Sequence, residues 1–186
     1  MDVFSLCFGK DLRMSKRKIN LKPHLAFLLA LSILLWMEPP KAADSARQAE
    51  VAERGATVMP FALNKTLHQF NKTESGGVQK VLVRDADDQP QIKLIQQHLS
   101  ELAVKFSKGD YSGPEKIHGA DMPGLAELKS AAPGSINISY QPEADGASLT
   151  FVSQDKLLIQ AVHDWFDAQV HDHGHDAMMM HHMHHP

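Results

Sequence analysis

The sequence predicts an α+β fold: a four-stranded antiparallel sheet built from two β-β-α halves, with both helices on one face. Three observations carry this expectation. Two pairs of short alternating segments, each pair joined across turn residues, precede two longer stretches with helical periodicity. The 186 residues suffice for one ordinary domain with a tail. Hydrophobic residues at 43% and charged residues at 22% furnish a core and argue against wholesale disorder.

The chain opens on an address rather than on the fold. Lys10, Arg13, Lys16, Arg17, Lys18 and Lys22 precede the run LAFLLALSILLW at 25–36. That run is shorter than the ~20 residues a membrane span requires. Small residues follow in PPKAADSA. A basic region, a short apolar run and a small-residue zone make residues 1–42 a secretory signal peptide, cut between Ala42 and Ala46. Met14 offers an alternative start with a shorter basic region. The expected location is therefore periplasmic or secreted, without stable membrane insertion after cleavage. The single cysteine, Cys7, lies inside the leader, so the exported part has no disulfide and no thiolate metal ligand.

The elements follow in order. Residues 43–58 are polar and Ala-rich, a short helix or a loose lead-in, and a single domain is expected over 59–172. Residues 66–70 and 78–83 alternate as strands around turn residues at 71–77. Ile92, Ile95, Leu99, Leu102, Ala103 and Phe106 share one stripe of a helix over 91–107, which Gly109 ends. The Gly- and Pro-rich stretch 111–124 reads as a structured loop, and 125–131 as one or two helical turns. Residues 135–140 and 148–152 form the second hairpin around Asp145-Gly146. Asp155 caps a helix running to about Val170. Residues 94–98 (LIQQH) and 159–163 (IQAVH) hold similar places, which suggests an internal repeat at a spacing of 65. Residues 173–186 read as a flexible His- and Met-rich tail.

Ligand chemistry is the strongest functional signal. The chain holds 12 histidines and 9 methionines against two Trp and two Tyr. His171, His173, His175, His181, His182, His184 and His185 crowd the C-terminus with Met178, Met179, Met180 and Met183. Imidazole binds Zn(II) and Cu(II), and thioether sulfur selects Cu(I), so copper or zinc is the expected cofactor. The bland alternative is a polar tail that chelates any late transition metal. If the helix persists, His171 and His175 share a face; if the chain extends, His171, His173 and His175 alternate to one side. His68, His98, His118 and His163 lie in the folded part, where a lone histidine is more often structural than a ligand. His118 and Met122 flank the loop HGADMPG and are a candidate ion site, unless Met122 simply plugs the core. From Arg47 onward 12 Lys+Arg stand against 18 Asp+Glu, an excess that favours cations and excludes nucleic acid as a partner.

The segments RQAEVAERGATVMPFALNKTLHQF, GGVQKV, IHGADMPGLAEL and HDWFDAQVHDHGHDA resemble a family of small exported bacterial proteins of unknown function. The resemblance spans 47–177, and its motif histidines correspond to His68, His98, His118, His163 and His173. Some members bear the label aspartate carbamoyltransferase. That enzyme is a larger two-domain protein with a Ser-Thr-Arg-Thr phosphate loop, a tetrapeptide absent from this chain.

Three functions are thus in view. The first is a periplasmic metal-binding protein for copper or zinc buffering, delivery or resistance. The second is a periplasmic protein- or peptide-binding module that uses the open sheet face and has structural histidines. The third is a small hydrolase or transferase built on His118, Asp121 and His163. The sequence has no G-x-S-x-G elbow and no phosphate-binding glycine loop, so an enzyme is the weakest of the three.

Overall fold

In a computed structural model, residues 40–180 are described, with side chains from Asp44 onward. The expected leader through residue 39 and the tail residues His181, His182, Met183, His184 and His185 lie outside them. The chain runs α1 (Pro40–Gly55), a 3-10 turn (Leu63–Lys65), β1 (Thr66–Thr73), β2 (Gly76–Val83) and α2 (Gln89–Phe106). Two short helices follow, α3 (Ser112–His118) and α4 (Leu125–Ser130). Then come β3 (Ile136–Glu143), β4 (Gly146–Ser153), α5 (Lys156–His173), a second 3-10 turn (Gly174–Asp176) and β5 (Ala177–Met179).

The fold class is α+β, but the sheet has five strands in the order β3-β4-β2-β1-β5. Four of them pair antiparallel, as expected. The fifth comes from the segment read as tail and runs parallel to β1, pairing His68 with Ala177 and Phe70 with Met179. The outer edge of β1 otherwise presents unpaired backbone groups, and β5 satisfies them. Residues 173–180 therefore belong to the folded unit rather than to a flexible tail.

The two halves match closely in length. Each hairpin has two 8-residue strands, and each long helix has 18 residues. Each helix starts after an aspartate, Asp88 or Asp155, whose carboxylate accepts from a first-turn backbone N–H. Aligning these caps gives a spacing of 67, not 65. His98 then corresponds to Trp165, and His163 to Gln96. The corrected pairing explains two bonds. Gln96 Nε2 donates to Glu143 O at the end of β3 (3.1 Å). His163 Nε2 bonds Thr73 O at the end of β1 (3.0 Å) and Gly76 O (2.9 Å). Each helix thus pins the hairpin of the other half.

Both long helices cover the same sheet face. Phe151 of β4 meets Phe106 of α2 and both Trp165 and Phe166 of α5. Phe70, Val81, Leu149, Ile95, Leu99 and Val162 fill the core between them. The 111–124 stretch contains a helix, α3, that the sequence hid. Pro114 sits in its first turn, where a missing N–H costs nothing. Gly124 follows with φ +75°, and a Cβ there would lie 2.0 Å from Ala161 O of α5. Only glycine lets this loop pass so close to the helix. The lead-in takes the helical of its two expected forms. α1 packs on α5 and α3 through fully buried Val51, and the expected cleavage zone falls in its first turns.

Candidate metal centre

The buried stripe of α5 runs Leu158, Ala161 and Val162, Trp165 and Phe166, Gln169, then Asp172 and His173. It is apolar where the helix enters and polar where it leaves. Beneath the polar end lies a cavity of ≈ 40 Å³ between β1, β2, α2, α3 and α5. Its walls include His68, His98, His118, His173, Gln79, Gln169 and Trp165.

Three of these histidines adjoin one another. His68 and His173 are parallel within 4° with ring centres 5.0 Å apart, and His173 meets His118 edge-on, also at 5.0 Å. All three are buried. His68 comes from an inward position of β1, His118 from the last residue of α3, and His173 from the last turn of α5. Burial pushes the His68 ring down to about 4, against the pull of its hydrogen bond to the Asp176 backbone. Burial also drives His173 well below the usual imidazole range, assisted by His68 and His118. Both rings are therefore neutral near pH 7, the form that ligates metal. His68 Nδ1 has no hydrogen-bond partner among the described residues.

His118 is oriented from behind. Its Nδ1 lies 2.8 Å from Asp172 Oδ2. A carboxylate only accepts, so Nδ1 carries the proton and Nε2 is left as the lone-pair nitrogen of the neutral ring. Arg47 of α1 grips Asp172 with both Nε (3.1 Å) and Nη2 (2.7 Å), and Nη2 also donates to His118 O (2.6 Å). Burial opposes the Asp172 charge. The hydrogen bonds from His118, Arg47 and His171 outweigh that and hold its carboxyl well below the usual carboxylate range. A carboxylate behind an imidazole, fixing its tautomer, is the arrangement that supports metal-ligating histidines.

Two imidazoles on one tetrahedral ion, with bonds of ~2.0–2.1 Å, have ring centres roughly 5 Å apart. The spacing of the cluster fits one ion, but the ring orientations do not. Among the described residues no three His, Cys, Asp or Glu side chains stand ready to hold a metal.

The other expected ligands are dispersed. His98 is half-buried at the cavity wall, edge-on to Phe61, which in turn lies against His68; burial lowers its pKa. Met122 is 5% exposed within the hydrophobic core and borders a surface hollow on the other side of His118. It plugs the core, because the αL turn at Gly124 presses its loop onto α5. His163 serves the hairpin as described. His171 is exposed beside Asp44 and Asp172 (each 3.3 Å). His175 is exposed in the second 3-10 turn. Gly174, at φ +54°, ends α5, so His171, His173 and His175 share neither a helical face nor a strand face. Met178 and Met180 are exposed at the sheet edge, while Met179 packs on the core. The acid-base constellation of His118, Asp121 and His163 does not form: His118 pairs with Asp172 and His163 with the hairpin.

Sequence reasoning missed Arg47, Gln79 and Gln169 as parts of this site, whereas the aspartates of HDHGHD are legible there as acceptors that fix an imidazole tautomer, the role Asp172 takes. A signal existed for Gln169 and His173, which continue the four-residue spacing from Trp165. No protein-family model, curated protein or solved structure matches the chain.

Proposed function

We propose that this chain is a periplasmic transition-metal-binding protein whose ion, zinc or copper, is held by His68, His118 and His173. The observation that carries the reading is the meeting of three buried histidines from three distant segments. One of them is braced by the Asp172–Arg47 pair. Histidine is costly to bury without use, because its charged form is lost and its ring nitrogens need partners. Three together, with the rings of His68 and His173 kept neutral by burial and Nδ1 of His68 unpartnered, supply a nitrogen donor set suited to a borderline ion. Binding requires the rings to turn from their present orientations toward a common point. The His- and Met-rich sequence that follows β5 serves to collect ions for the same site. Buffering or delivery of the ion is the role that follows.

The sheet's uncovered face is mixed. Gln69, Lys80, Ser148 and Gln141 form one cross-strand row there, Asn71, Val78, Thr150 and Ser139 form the next, and Leu67 pairs with Leu82 beyond them. The polar residues interrupt any continuous apolar patch, so the peptide-binding alternative is the weaker reading.

Calorimetry with Zn(II), Cu(II) and Cu(I) tests the reading on the full chain, on a chain ending at Met180, and on His68→Ala and His118→Ala. Sub-micromolar binding that survives truncation after Met180 and is lost in both variants supports it. Binding that vanishes with the truncation alone assigns all metal affinity to the tail and refutes the buried centre.

A further inference from the structure

We propose that the cavity beneath α5 binds a small neutral molecule carrying a primary carboxamide, with no metal ion required. Four buried side-chain polar atoms lack a hydrogen-bond partner among the described residues: His68 Nδ1, Gln79 Oε1, Tyr111 OH and Trp165 Nε1. Three of the four belong to residues lining this one cavity, and those residues are 3%, 7% and 1% exposed, so bulk water does not serve them. They come from β1, β2 and α5. His68 pairs with Val81 and Phe70 with Gln79, which makes His68 and Gln79 diagonal neighbours on the inward sheet face. Trp165 closes the cavity from the covering helix. Orphans gathered in one place point to a guest rather than to scattered imperfect packing.

The donor and acceptor roles of the three specify the guest. Trp165 Nε1–H only donates, and Gln79 Oε1 only accepts. The His68 ring is neutral near pH 7 and bonds the Asp176 backbone through its other nitrogen, which leaves Nδ1 as a second acceptor. The complement is one acceptor and two hydrogens on one molecule. A primary carboxamide is that set: its C=O accepts from Trp165, and its NH₂ donates to Gln79 and His68. Water offers the same set, but at ~10–15 Å³ it fills only about a third of the cavity's ≈ 40 Å³. The remainder is bounded by Val81, Leu99 and Phe106, which suit a methyl group. Charge is unwelcome. No Asp, Glu, Lys or Arg among the described residues lines the cavity, and Arg47 and Asp172 satisfy each other behind His118. A charged guest would lose its hydration without a counter-ion. The way in runs past Met59, His98 and Leu102, the partly exposed part of the wall. An ion on His68 would take the same lone pair, so metal and carboxamide exclude each other there.

The test titrates the full chain with acetamide in EDTA near neutral pH and follows the Trp165 indole N–H proton resonance. Trp165→Phe identifies that resonance by deleting it and sparing that of Trp36. A saturable shift is expected with a Kd of ~1–50 mM, a range open to so few atoms. Acetate and ethylammonium, charged molecules of similar size, should give no saturable shift at the same concentrations. Gln79→Leu removes one acceptor without leaving a new orphan and should weaken acetamide by about fivefold or more. If that variant unfolds, the contrast between acetamide and acetate on the native chain still decides. A resonance that answers acetamide and acetate alike, or neither, leaves only water in the cavity and overturns the carboxamide site. Unchanged acetamide affinity in a folded Gln79→Leu overturns the bond to Gln79 and the assignment with it. No metal is present in these titrations, so their failure leaves the metal reading to its own calorimetry.

Discussion

Acid should unfold this protein through its buried imidazoles, and His68 sets the scale. Folding lowers its pKa from an ordinary 6.5 to about 4. The folded state therefore binds fewer protons than the unfolded chain between those values. Stability is complete above pH 6.5, falls as pH drops through that window, and stops falling on this account below pH 4. Linkage across the interval from pH 7.5 to 4.5 gives a loss of about 2.5 kcal/mol from His68 alone. The residue is 3% exposed, so solvent screening removes little of it. His173 and His98 are shifted in the same direction and steepen the fall. Asp172 is shifted downward and acts only at lower pH, near and below its unfolded value of 3.8. Urea unfolding in EDTA at the two pH values measures the difference, and His68→Gln should remove about 2.5 kcal/mol of it. A wild-type loss below about 1 kcal/mol would refute the claim that these rings are buried neutral.

Other perturbations test separate parts of the structure. Asp172→Asn removes the carboxylate that Arg47 grips and frees the His118 ring; it should cost about 3 kcal/mol in urea unfolding and lower zinc affinity by about 10- to 100-fold in calorimetry. Gly124→Ala places a Cβ 2.0 Å from Ala161 O and should cost more than about 2 kcal/mol. Gly119→Ala, at φ +92° with no atom within 4 Å of the new Cβ, should cost only about 1–2 kcal/mol, a contrast that thermal melts will show. His163→Ala removes the bonds to Thr73 O and Gly76 O and should destabilise by about 1–2 kcal/mol while leaving zinc affinity unchanged; a loss of affinity would return His163 to the metal site.

Much of the candidate site lies at positions that no local pattern marks. His68 was visible as a strand residue and His118 as part of an unusual loop, but their meeting depends on α3, which Pro114 and the flanking glycines disguise. Histidine repeats suggest loose polar chain, so the sequence by itself places His173 in a tail. It is instead the last buried turn of α5. Arg47 lay in a segment with few apolar residues and no reason, seen alone, to dock. Its value comes from Asp172, 125 residues away in sequence.

Local pattern alone determined the two hairpins, the two long helices and the aspartate cap at residue 155. These follow from periodicity, turn chemistry and capping, which act over a few residues and are written in neighbouring positions. Tertiary structure decided the fifth strand, the exchange of pins by Gln96 and His163, and which histidines meet. Those outcomes depend on the open backbone edge of β1 and on side chains converging from separate elements. Only the assembled sheet brings such groups within reach of one another.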